Sequence, residues 1–160
     1  MQQQPLQNKR LRRIRVYILI MIIGLVLSGL TAFPIQTELA FITQAHPAGP
    51  AGIWLTRIYS AICKTNAAYP FLSYGTDWLA FAHLVLAILF IGPLRDPVKN
   101  KWVIQFGIMA AILIFPLAFI AGNIRSIPLF WRLIDCSFGI VALLVLVPCY
   151  RLIQQLENRQ

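Results

Sequence analysis

Four long apolar runs, set apart by short polar breaks and one long mixed stretch, organise this chain. They place membrane spans at about residues 16–34, 76–94, 102–121 and 127–147. Runs of some 20 apolar residues match a hydrocarbon core about 30 Å thick at about 1.5 Å per residue. The first run carries no charge and ends at Pro34 and Gln36. Gly24, Ser28 and Ala32 recur four apart along it, a small-residue face that would let a neighbouring helix approach closely. The second run, Trp78 to Ile91, is short for a crossing and draws on its flanks; Thr76 suits its N-cap and Asp77 its first turn. The third is expected to kink at Pro116 and carries Gly107, Ala111, Ala118 and Gly122 as a second small-residue face. The fourth opens at Pro128 and closes at Pro148, with a polar helical extension beyond it.

The long connection, residues 35–75, has too regular a pattern for a loose linker. Ile35, Leu39 and Ile42 fit one face of a short helix, and His46-Pro47 and Gly49-Pro50 then break the chain. From Pro50 to about Lys64, Thr56, Arg57, Ser60 and Lys64 fall on one side, and Trp54, Ile58, Ala61 and Ile62 on the other. That is the pattern of an amphipathic helix lying in a membrane interface. The fold expected is therefore all-α: an integral membrane four-helix bundle with an interfacial amphipathic helix in its long first outer loop. The membrane domain spans residues 16–152, between a basic arm (1–15) and a tail (153–160).

Composition fits that frame. The 160 residues are 59% hydrophobic and 12% charged, against roughly 25% charged in soluble domains. Too little charge is left to cover a water-facing surface. The net charge of +9 is concentrated, with Lys9, Arg10, Arg12, Arg13 and Arg15 just ahead of the first span. A basic arm there reads as an orientation signal that can also attract anionic headgroups, and not as a nucleic-acid site. With both ends on one side, that side carries ten of the 14 lysines and arginines; Arg57, Lys64 and Arg125 lie on the other, and Arg132 within a span. The bias puts both termini in the cytoplasm and the long loop outside. The first run is too long for a cleaved leader and reads as a retained anchor. Compact loops suggest a bacterial inner (plasma) membrane.

Candidate chemistry rests on ionisable residues inside spans. Each costs roughly 2.5–3.5 kcal/mol at mid-helix on insertion scales and usually faces protein or a water-filled interior. His83 lies roughly 9 Å beyond Asp77, and Asp135 roughly 10 Å beyond Pro128, by helical rise. Arg132 is one turn above Asp135 on nearly the same face. Asp77, His83, Arg132 and Asp135 could thus form one ligand-binding or proton-linked cluster on the outer half of the bundle, with Arg57, Ser60 and Lys64 as anion contacts from the loop. Arg132 would grip a carboxylate or phosphate, Asp135 would orient it, and His83 would titrate. The bland alternative is an Arg132–Asp135 ion pair that eases insertion, with His83 hydrogen-bonded nearby.

Other chemistries find little. Cys63, Cys136 and Cys149 make no metal-binding spacing, and Cys136 and Cys149 read as small core residues. No metalloprotease, phosphate-loop, dinucleotide or nucleophile-elbow motif is present. No cofactor is required; haem between His83 and His46 would need the loop to fold back into the bundle. The leading expectation is a ligand-binding, transport or accessory protein, open to homo-oligomers or a larger complex through its small-residue faces. The alternatives are a membrane enzyme or redox subunit acting on a lipid or quinone-like substrate, and a purely structural subunit.

Overall fold

The computed structural model describes residues 3–158, with side chains from residue 7 onward. Every element among them is helical: α1 (Gln3–Ala32), α2 (Ile35–Gln44), α3 (Gly49–Ala68), a 3-10 turn (Pro70–Ser73), α4 (Tyr74–Leu89), α5 (Ile91–Arg95), α6 (Lys101–Ile124) and α7 (Leu129–Glu157). Four stretches are long and apolar enough to cross a membrane: Gln7–Ala32, Pro70–Arg95, Lys101–Ile124 and Leu129–Glu157. Their apolar side chains lie open, with Ile88 64%, Leu117 65% and Leu144 68% exposed. Such surface is stable in lipid, and helices that close their own backbone hydrogen bonds are permitted there. This is an all-α, multi-pass membrane protein.

Two boundaries differ from the sequence reading. The basic arm is not a separate segment, because α1 begins at Gln3 and runs without a break into the first span. The second span is interrupted: α4 stops at Leu89, and Gly92-Pro93 sits inside the one-turn α5 instead of a plain loop. Proline lacks the N–H that would continue the α4 ladder, so the chain restarts as a new turn. Pro116, by contrast, is accommodated within a continuous α6.

The chain divides into two compact units. One comprises α1 up to Ile23 together with everything from Ala87 onward. Its core is the α6/α7 hairpin. Val103, Ile104, Ala111, Ala118 and Gly122 form the buried stripe of α6, and Cys136, Gly139, Leu146, Cys149, Ile153 and Leu156 that of α7. Ile14 and Ile18 of α1 are also fully buried. Small residues set how closely α6 and α7 approach. A Cβ added to Gly139 would stand 2.9 Å from the Ala111 carbonyl oxygen, and one on Gly107 would stand 2.8 Å from the Leu146 Cδ1. The Asn100 side chain ties the α5–α6 turn, donating to the carbonyls of Gly92 (3.2 Å) and Asp96 (2.9 Å). At the same end, Lys101 pairs with Glu157 at 2.5 Å, joining the start of α6 to the last turn of α7.

The other unit is Gly24–Leu86. The close approach of α1 to α4 falls on Gly29, not on the Gly24/Ser28/Ala32 face. A Cβ on Gly29 would lie 2.9 Å from the Ala80 carbonyl oxygen, while one on Gly24 would meet nothing within 4 Å. The α2–α3 turn is made by residues in the left-handed region, His46 (φ 45°) and Gly49 (φ 80°). Gly52 then sits on the Pro47 backbone, where a Cβ would fall 1.8 Å from the carbonyl oxygen. Any larger residue at 52 would push α3 off the turn. The long connection thus holds two helices, α2 and α3, folded on each other.

Candidate functional site

Within Gly24–Leu86, α2, α3 and the start of α4 enclose a pocket of about 360 Å³. Its polar lining is Gln36 and Thr37 from α2, Tyr59 and Asn66 from α3, Ser73, and Thr76 and Asp77 from α4. Pro34 ends the first span and α2 starts at Ile35, which brings Gln36 to the rim. Tyr59, Cys63 and Asn66, spaced four and three apart, share one face of α3.

A relay of hydrogen bonds links these elements. The Ser73 hydroxyl donates to Asn66 Oδ1. Asn66 Nδ2 donates to Gln36 Oε1 at 2.6 Å. Gln36 Nε2 in turn lies 3.6 Å from the Cys63 sulfur. Each amide is held at both ends, so the relay fixes the pocket wall. The Tyr59 phenol is pushed above its ordinary value, mainly by its hydrogen bond with Cys63, and stays neutral at physiological pH. The second N–H of Asn66, the Tyr59 and Thr76 hydroxyls and the Asp77 carboxylate are the groups available to an occupant. Asp77 is the one charged residue in the lining.

The expected site residues are thus redistributed. Asp77 reaches the pocket. Arg57, Ser60 and Lys64 do not: they form an exposed stripe of α3, facing away from Tyr59 and Asn66. Arg57 lies over the Trp54 ring, 5.9 Å from its centroid. His83 shares α4 with Asp77 but is six residues on, about 240° around the helix. Its Nδ1 meets the Leu79 carbonyl at 2.8 Å. A carbonyl only accepts, so Nδ1 is the donor in this bond. His46 is exposed and lines a separate depression with Pro47, Thr56 and Tyr59; His83 is not part of that lining.

Arg132 and Asp135 belong to the other unit, and the ion pair proposed for them does not form: the pairs among the described residues are Lys99–Asp96 and Lys101–Glu157. The reason is Gly122. Its missing side chain leaves a slot on α6 into which the Arg132 stem packs, where an added Cβ would come within 2.6 Å of Cδ. This carries the guanidinium to Asn123, whose Oδ1 accepts from Nη1 at 3.4 Å. Arg132 Nε is buried with no hydrogen-bond partner among the described residues. Cys136 is buried in the α6/α7 core, and the Ser137 hydroxyl donates back to the Ile134 carbonyl at 2.6 Å, so neither is set up as a nucleophile.

Sequence reasoning followed charges and missed the amides. Gln36 and Asn66 were the available signal, as carboxamides on the inner faces of two amphipathic helices. No protein-family model, no curated protein and no solved structure matches this chain.

Proposed function

We propose that this chain is a bacterial inner-membrane protein, with both termini in the cytoplasm, that binds a small polar solute in the α2/α3/α4 pocket as a binding, transport or accessory protein. The observation that carries the reading is the Ser73–Asn66–Gln36 relay around a cavity of about 360 Å³. That volume falls in the range of small-ligand sites, and pre-oriented hydrogen-bonding groups are what such sites use to fix orientation. The lining favours a neutral or cationic solute, such as an amine or amino alcohol, because its one formal charge is the Asp77 carboxylate. The orientation rests on the lysine and arginine bias, ten against three.

The test is thermal unfolding of the purified protein in detergent against a panel of small amines, polyols and amino acids. A solute that raises the melting temperature of the wild type, and fails to do so with Asn66→Leu and with Asp77→Asn, supports the reading. A panel that stabilises wild type and both variants equally removes it. A second reading rests on Arg132, whose unpartnered Nε suits a carboxylate or phosphate. In that case small anions would stabilise the wild type and not Arg132→Met.

A further inference from the structure

A second cavity lies in the unit formed by α1 up to Ile23 and Ala87 onward. It is a groove of about 660 Å³ between the first turns of α1 and the last turns of α7. Lys9, Arg12 and Arg13 line it from α1, and Arg151 from α7; no carboxylate is part of the lining. The other wall residues are Val16, Tyr17, Pro148 and Leu152. We propose that this groove binds an anionic phospholipid whose headgroup carries two phosphodiesters.

The continuity of α1 is what creates the site. In an unstructured arm, five basic residues would be a diffuse cloud. In a helix that runs unbroken into the span, Lys9, Arg12, Arg13 and Val16 recur at three- and four-residue spacing on one face, which looks across to α7. The two helices meet at buried residues, Ile14 and Ile18 on α1 and Cys149 and Ile153 on α7, with the Cys149 sulfur 4.0 Å from the Ile14 carbonyl oxygen. The four cations are open at the mouth: Lys9, Arg12, Arg13 and Arg151 are all exposed, and none joins an ion pair among the described residues.

Position selects a lipid over a soluble anion. The groove is polar on the side of the α1 N-terminus and apolar on the other, where the uncharged run starts at Val16 and Leu19, Ile20 and Ile23 lie exposed beyond it. Tyr17 stands at the boundary, the level at which tyrosine rings favour headgroups. A ligand that fits needs negative charge at one end and hydrocarbon at the other. Charge count selects the headgroup: one phosphodiester leaves most of four cations uncompensated, whereas two set the charges closer to balance. Arginine adds forked donors that suit phosphate oxygens. The site stands whichever way the chain faces.

The experiment uses the full chain in mild detergent and native mass spectrometry, with diphosphatidylglycerol, phosphatidylglycerol, phosphatidylcholine and inorganic pyrophosphate as probes. One diphosphatidylglycerol per chain is expected, bound at least tenfold tighter than phosphatidylcholine. In the triple variant Arg12→Gln, Arg13→Gln, Arg151→Gln, that preference should fall at least tenfold, since each basic residue near a membrane surface contributes a several-fold attraction. The control Arg57→Gln, Lys64→Gln removes two exposed cations outside the groove and should leave it intact. Equal loss in the control and the triple variant would reduce the effect to bulk charge and overturn the proposal. So would an unchanged triple variant, or pyrophosphate displacing the lipid at equal concentration, which would mark a soluble-anion site.

Discussion

Replacing Gly139 with Ala adds one methyl where α7 lies directly against the α6 backbone. The new Cβ would lie 2.9 Å from the Ala111 carbonyl oxygen and 3.4 Å from Phe115 Cε2. Relief requires the two helices to part by about 0.5 Å, and a gap of that size forfeits roughly a quarter of each van der Waals contact it opens. Over a few dozen atom pairs at about 0.1–0.2 kcal/mol each, the loss is about 1–2 kcal/mol, in the usual range for overpacking. Ala also favours helix over Gly by about 1 kcal/mol, which partly conceals the loss. Gly24→Ala gives the same propensity gain at a position where the methyl meets nothing within 4 Å. The difference between the two variants isolates packing and should be about 1–2 kcal/mol, with Gly139→Ala the less stable. Equilibrium unfolding in mixed micelles, followed by helical circular dichroism, measures it. If the two midpoints move together, close packing at Gly139 is not what holds α6 against α7.

Gly52→Ala should open the α2–α3 turn, because its Cβ would overlap the Pro47 carbonyl; faster alkylation of Cys63 would report it. Asn66→Leu strands Gln36 Oε1 and the Ser73 hydroxyl and should cost about 1–3 kcal/mol by thermal unfolding, whereas Asn66→Gln should recover part of it. The Lys101–Glu157 pair is 27% and 40% exposed, so a double-mutant cycle with Lys101→Met and Glu157→Gln should return a small coupling that shrinks as salt is added. A large coupling that salt leaves unchanged would mean that the pair is far better shielded from solvent than its exposure implies.

Local rules made the helical plan legible. Uncharged apolar runs gave the spans, and the amphipathic period with His46-Pro47 and Gly49-Pro50 gave α2, the turn and the start of α3, which runs one turn past the expected Lys64 to Ala68. What stayed hidden depends on partners distant in the chain. Gly24 and Gly29 are both small residues of α1, and only the path of α4 decides that Gly29 is the point of contact. Arg132 and Asp135 have ideal spacing for a pair, yet the slot at Gly122 diverts the arginine to Asn123. The pocket was overlooked because its wall is made of neutral amides, and Gln36 and Asn66 meet across 30 residues. The basic arm was visible as charge, but its helical continuation, which turns charge into a groove, was not.

The four-span chain is proposed to keep both ends in the cytoplasm and the α2–α3 pair outside. Single reporters, Asn8→Cys and Ser60→Cys, both at exposed positions, test this placement in a Cys63→Ser background; Cys136 and Cys149 are buried and can remain. A membrane-impermeant maleimide is applied to intact spheroplasts and to lysed ones. The residue-60 reporter should label in intact spheroplasts, and the residue-8 reporter only after lysis. The reverse pattern, or labelling of both without lysis, would contradict it.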